Sequence, residues 1–193
     1  MKKIMFVAVL ALASVMAYAQ PRAIGGRLGA FEGFSYQHGF GGGSNMLEIE
    51  AGWSCNGRTD VWDRNSATRL RMFGSNIQAA VTYDWIDPFG ATFPWDKKGE
   101  WHWYMGVGGA AGYGWYGYAY APGYGYVGGA LDFGFIAAAG RIGFEYDFWF
   151  PLQLSLDWRP TLGTALVGGA TTTYAGLYWE MSSIALGVRY KFR

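Results

Sequence analysis

The chain alternates between apolar and polar positions over much of its length, which is the period of a half-buried β-strand. Residues 184–192 show the pattern most clearly, with apolar side chains at every even position and Arg189 and Lys191 among the odd ones. Five more segments alternate as clearly: residues 47–53, 73–85, 101–115, 142–148 and 152–160. Residues 23–37 and 170–178 alternate more weakly and bring the number of candidate strands to eight.

The composition agrees with a fold made of strands. The chain contains 31 Gly, 14 Tyr, 13 Phe and 10 Trp. Aromatic residues are enriched in strands, and glycine marks turns, bulges and close backbone approach. We therefore predict an all-β protein.

The first 19 residues have the pattern of a secretory signal peptide. Lys2 and Lys3 precede a largely apolar segment, residues 4–16, and residues 17–19 form an A-x-A cleavage site. The apolar segment is shorter than the ~20 residues that a membrane-spanning helix needs. We predict a signal peptide over residues 1–19 and one all-β domain over residues 20–193.

One uncharged stretch, residues 103–131, is long enough for a membrane-spanning helix. It contains ten glycines and Pro122, which oppose a helix, and it alternates large and very small side chains as a strand does. Two G-x-G-x-x-G matches, residues 112–117 and 123–128, do not open a helix, so they predict no dinucleotide site. We interpret residues 116–129 as a low-complexity loop.

Other connections differ in length. Residues 55–68 form a long polar loop in this interpretation, whereas residues 148–151 form a short turn.

Charge and reactive residues exclude several classes of function. Without the signal peptide the chain has 13 basic and 14 acidic residues, so no charge excess predicts a nucleic-acid partner. Cys55 is the only cysteine, and the two histidines have no metal-ligand spacing. His38 lies near Ser35 in the sequence, but no acid stands at a spacing that would complete a hydrolytic site. We predict that the protein is not an enzyme and has no metal or other cofactor.

The alternation leaves two orientations open. In a soluble secreted barrel the apolar faces would point inward, around an apolar ligand. In a membrane barrel they would face lipid, and the charged faces would line the interior. Aromatic residues at the ends of the apolar faces favour the membrane, because Trp and Tyr are typical of membrane–water interfaces. The predicted lipid-facing residues are Ile142, Phe144, Leu152, Leu154, Leu156, Ile184, Leu186 and Val188. The predicted interface girdle consists of Trp53, Trp85, Trp101, Trp103, Tyr146, Trp158 and Tyr190.

Several segments resemble the small outer-membrane β-barrels of the OmpX/porin-like class of Gram-negative bacteria. They are SYQHGF (35–40), LEIEAGW (47–53), GRIGFEYDF (140–148), PLQLSLDWRP (151–160) and IALGVRYKF (184–192). The resemblance implies a closed antiparallel transmembrane barrel in the outer membrane. Together with the even strand number of such barrels, it leads us to expect eight strands. It also implies that Tyr190 and Phe192 belong to the signal that the outer-membrane assembly machinery reads.

An eight-stranded barrel has an interior just wide enough for its own side chains. The predicted interior charges are balanced enough to form an ion-pair network: Arg27, Glu48, Glu50, Arg141, Glu145, Asp157, Arg159 and Arg189. We therefore expect a structural or interaction protein that is anchored in outer-membrane lipid and meets an extracellular partner through its loops. The alternatives are a narrow pore for water or small solutes, a lipid-modifying enzyme, and the soluble ligand-binding barrel.

Overall fold

A computed structural model describes residues 21–63, 68–88, 98–121, 125–168 and 173–192. The predicted signal peptide lies outside these residues. The described chain contains ten β-segments: β1 (Pro21–Gly29), β2 (Glu32–Phe40), β3 (Asn45–Asp63), β4 (Thr68–Pro88), β5 (Gly99–Ala121), β6 (Gly125–Phe148), β7 (Leu152–Trp158), β8 (Thr161–Gly168), β9 (Thr173–Glu180) and β10 (Ile184–Lys191). No helix long and apolar enough to span a membrane occurs among the described residues.

The ten segments form eight strands of a closed antiparallel barrel. β7 and β8 are two parts of one strand, interrupted at residues 159–160, because both pair with β6. β9 and β10 are likewise two parts of one strand, interrupted at residues 181–183. Each strand pairs with the next along the chain, and β10 pairs with β1 to close the barrel. The predicted all-β fold, a closed antiparallel barrel of eight strands, is confirmed.

The barrel changes its strand number along its axis. We call the end that carries Pro21, Lys191 and the turn at residues 149–151 the lower end, and the opposite end the upper end. β1 and β2 form a short hairpin in the lower part. Beyond its tip, residues 60–63 of β3 pair directly with β9. The described lower part is therefore closed by eight strands and the upper part by six.

Two predicted loops are in fact strands. β3 and β4 continue to Asp63 and from Thr68, so most of the predicted loop at residues 55–68 is strand. β5 and β6 continue to Ala121 and from Gly125, so the predicted loop at residues 116–129 is a hairpin. Both hairpins are irregular in register, with shifts between Ser54 and Gly57 and between Tyr116 and Tyr118. The predicted short turn between Phe148 and Leu152 is present.

The short connection between β2 and β3 is a single 3₁₀ turn, Gly41–Gly43. Gly42 and Gly43 have φ of 72° and 102°, a region that side chains with a Cβ rarely adopt. Glycine at these two positions lets the chain reverse within three residues.

Burial alternates along most strands for which the structure describes side chains; in β2 the adjacent residues Gln37 and His38 are both buried. In β10, Leu186 is 45% exposed, whereas Arg189 is 1% exposed. The charged face of β10 therefore points into the barrel, and its apolar face points out.

Candidate functional site

The lower half of the barrel interior holds a dense network of charged side chains. The structure buries all eight residues that the sequence assigns to the interior, each at 3% exposure or less: Arg27, Glu48, Glu50, Arg141, Glu145, Asp157, Arg159 and Arg189. They come from β1, β3, β6, β7 and β10 and from the interruption between β7 and β8. Residues distant in sequence thus meet because the barrel closes.

Arg141 occupies the centre of this interior network. It forms an ion pair with Glu48, and it donates hydrogen bonds of 3.1 Å each to Asp84 and Asp157. Its guanidinium also donates a hydrogen bond to the Tyr104 hydroxyl and lies 4.7 Å from the centre of the Tyr104 ring. A planar, permanently charged guanidinium with five donors suits such a position better than an ammonium group.

Glu48 joins β1, β3 and β10 within the network. It accepts hydrogen bonds from Arg189 at 2.6 Å and from Ser35 at 2.6 Å, and it is 3.5 Å from Arg27. Ser35 in turn accepts a 2.7 Å hydrogen bond from Arg189. Satisfying the buried polar atoms in this way offsets the large cost of taking ions out of water.

Opposite charges balance at this level of the interior. Among the described residues, four arginines (Arg27, Arg141, Arg159 and Arg189) contact four carboxylates (Glu48, Glu50, Asp84 and Asp157). Asp84 and Tyr104 were missing from the predicted interior set. Their positions in the alternation of β4 and β5 could have identified both.

Glycines on the inner face make room for these side chains. A Cβ on Gly143 would lie 2.7 Å from the Tyr104 ring and 2.6 Å from the Asp157 Cβ. A Cβ on Gly106 would lie 2.0 Å from Asp84 Oδ1. The glycine content thus serves the packing of large charged groups inside a narrow barrel.

A second cluster of charges, the lower-mouth cluster, lies at the lower opening and consists of Arg22, His102, Glu145, Asp147 and Lys191. Arg22 forms an ion pair with Glu145, and Lys191 forms one with Asp147. The His102 Nδ1 atom is 3.9 Å from Glu145 Oε1 and 4.0 Å from Asp147 Oδ2. A cavity of about 530 Å³ opens beside the cluster and is lined in part by His102, Asp147, Arg22 and Lys191.

Among the described residues, the upper part of the interior is mainly apolar, although Gln78 is also buried there, at the level of Phe135. Its apolar inward side chains are Val61, Ala80, Ala110, Phe133, Phe135, Ala137, Ala139, Ala165, Val167 and Tyr178. The Phe135 and Tyr178 rings stack with centroids 4.3 Å apart, and Phe133 lies 5.6 Å from each. Where side chains are described, the six-stranded part of the barrel is filled mainly by aromatic rings and small side chains.

The outer face carries the predicted lipid-facing residues. Ile142, Phe144, Leu156, Ile184, Leu186 and Val188 are exposed, and Leu152 and Leu154 are half-buried. They form continuous apolar rows across β6, β7 and β10. In one such row, Phe144 pairs with Leu156, which pairs with Leu186. A soluble barrel around an apolar ligand would need the opposite orientation of these faces.

The predicted girdle residues also point outward. Trp53, Trp85, Trp158 and Tyr190 are exposed, and Trp101, Trp103 and Tyr146 are half-buried. Trp158 departs from the pattern of an interfacial tryptophan, in which the indole N–H contacts water. Its indole N–H donates a 2.6 Å hydrogen bond to the Met181 carbonyl, at the interruption between β9 and β10. Phe192 of the predicted assembly signal is exposed beside Tyr190, with ring centroids 5.3 Å apart.

Ser35 and His38 do not form a nucleophile–base pair. Ser35 points inward to Glu48 and Arg189, whereas His38 is in contact with the rings of Tyr36 and Phe40 on the other face of β2. The Cys55 side chain lies outside the part of the structure that is described.

Comparison with known proteins finds no matching family model, no matching curated protein and no matching solved structure.

Proposed function

We propose that the protein is a small outer-membrane β-barrel of the OmpX/porin-like class, a non-catalytic anchor with a closed interior. The observation that carries this proposal is the inverted burial of the barrel, with arginines and carboxylates inside and large apolar side chains outside. Soluble monomers rarely expose contiguous apolar patches larger than a few hundred Å². Lipid is the environment in which an outer apolar face of this extent is stable.

The lengths of β5 and β6 support a role for the upper hairpins in contacting an extracellular partner. A tilted strand of about 9–11 residues crosses the hydrocarbon layer. β5 has 23 residues and β6 has 24, so their hairpin extends well beyond the layer at the upper end. In our proposal the upper end faces the cell exterior, and the lower end, with the short turns at residues 41–43 and 149–151 and the longer β4–β5 connection, faces the periplasm. The β3–β4 and β5–β6 hairpins are then the surfaces that an extracellular partner meets.

Heat modifiability of the protein from the membrane fraction tests this proposal. A closed barrel resists detergent, so the unboiled protein is expected to run as a faster, compact band and the boiled protein as a slower one. A matched sample of the soluble fraction serves as the control. Recovery of the protein in the soluble fraction, with one mobility before and after boiling, would refute a membrane barrel.

A further inference from the structure

The lower-mouth cluster groups three side chains that can act as metal ligands, two of which also form ion pairs with Arg22 and Lys191. His102, Glu145 and Asp147 each offer one nitrogen or oxygen atom, and these three atoms lie within 4.8 Å of one another. His102 comes from β5, and the two acids come from the adjacent strand β6, where Glu145 pairs directly with His102. The pleat of two neighbouring strands therefore holds the three side chains on one inner surface.

Two polar atoms in this cluster are buried without a hydrogen-bond partner. They are Nδ1 of His102 and Oε2 of Glu145, and the Glu145 side chain is fully buried. Leaving a buried polar atom unsatisfied costs about 1–3 kcal/mol, so native structures seldom do so without a reason. A ligand with positive charge would satisfy a free imidazole nitrogen and a free carboxylate oxygen together.

The surroundings fit a metal ion. We infer that His102, Glu145 and Asp147 bind one divalent transition-metal ion of the zinc class, with water completing the coordination. Imidazole nitrogen with carboxylate oxygen is a donor set for zinc and its neighbours. Donor atoms of a tetrahedral zinc site lie roughly 3.3 Å apart, given metal–ligand distances of about 2.0 Å. The observed distances from His102 Nδ1 are 3.9 Å and 4.0 Å and all three donor atoms lie within 4.8 Å of one another, so the side chains must move inward to bind the ion.

The second nitrogen of His102 lies near a carboxylate of the kind that orients histidine ligands in zinc sites. Nε2 lies 3.8 Å from Glu100 Oε2, and the Glu100 side chain is largely exposed and free to approach. A carboxylate that accepts from the far N–H of a metal-bound histidine fixes its tautomer and raises its basicity. Glu100 is therefore a positioning residue for the site.

Arg22 and Lys191 compete with the metal for the two carboxylates. They balance Glu145 and Asp147 when no metal is bound, so a divalent ion must displace them. Their side chains are 13% and 30% exposed, and both line the cavity at the mouth. Both can swing into the cavity, which also provides the path by which the ion enters. Metal binding and the two lower-mouth ion pairs thus exclude each other.

Titration calorimetry with zinc chloride tests this inference on the folded full-length mature chain in detergent, after metal removal. We expect one ion per chain, at least about tenfold weaker binding in His102→Ala, and about tenfold weaker binding in Glu100→Gln. His38→Gln is the matched control, since His38 is the chain's other histidine and should leave binding unchanged. Magnesium, which prefers oxygen ligands only, should bind far more weakly.

A second variant tests the competition. Lys191→Gln removes one of the two competing cations and should bind zinc several-fold more tightly. A cobalt titration should give the visible absorption of a tetrahedral site in the wild-type protein and in Lys191→Gln, but not in His102→Ala. No zinc binding in the wild-type protein, unchanged binding in His102→Ala, or weaker binding in Lys191→Gln would each overturn the inference. Heat modifiability establishes that each variant is folded.

Discussion

At the scale of single residues, Asp157 shows what the interior network demands. Asp157 is 2% exposed and accepts hydrogen bonds from Arg27, from Arg141 at 3.1 Å and from the Tyr104 hydroxyl at 3.0 Å. Asp157→Asn keeps the shape of the side chain but leaves two buried arginines without this charge. Breaking one partner out of a buried ion pair costs about 3–5 kcal/mol. We expect a loss of this size in the free energy of unfolding, measured by urea titration of the folded barrel.

The matched control for Asp157→Asn is Asp87→Asn, because Asp87 lies exposed at the lower end of β4. The same chemical change there should alter the free energy of unfolding by no more than about 0.5 kcal/mol. Equal effects of the two variants would show that the interior charges do not form the network described above.

At the scale of elements, the outer face of β10 tests where the membrane lies. Leu186 occupies the middle of this face and lies between Leu28 of β1 and Leu156 of β7. In lipid, an arginine at the middle of the bilayer costs about 2–4 kcal/mol. We expect Leu186→Arg to lower the free energy of unfolding by this amount in lipid vesicles.

Trp149→Arg is the control for Leu186→Arg, because Trp149 is exposed in the lower turn, where our proposal places the membrane–water interface. Near the interface an arginine costs only about 0–1 kcal/mol. If both variants cost equally little, the outer face of β10 is in contact with water and the proposed membrane setting is wrong.

The contrast between the two faces of a strand explains which strands the sequence could predict. Strands of the lower barrel alternate between apolar and polar residues because their inner face lies against charged groups. In β10, Leu186 is on the outer face and Arg189 is on the inner face. β8 escaped prediction because its outward Leu162 and Leu166 alternate with inward Ala165 and Val167. Its interior neighbours are apolar, so no contrast between faces marks the strand. The alternation of faces identified the interior charges. Which arginine contacts which carboxylate could not be predicted, because it depends on how the barrel closes and on the strand register.

At the scale of the whole molecule, the interior consists of two different barriers in series. The lower one is the ion-paired layer around Arg141 and Glu48, and the upper one, among the described residues, is the mainly apolar layer around Phe135 and Tyr178. An ion that crosses the barrel must break the first layer and then lose its water in the second. Apolar constrictions stop ions by excluding water, even where no charge opposes them.

We therefore expect the purified protein to pass no current above the lipid baseline in planar bilayers. Phe135→Ala opens the apolar layer but leaves the Arg141–Glu48 layer intact, so this variant should also pass no current. Its free energy of unfolding should fall by about 3–5 kcal/mol, the usual cost of deleting a buried ring. Ile136→Ala is the matched control, since Ile136 is the outward neighbour and is 77% exposed. Steady channels in the wild-type protein would favour a pore, whereas channels in Phe135→Ala alone would mean that the charged layer is no barrier.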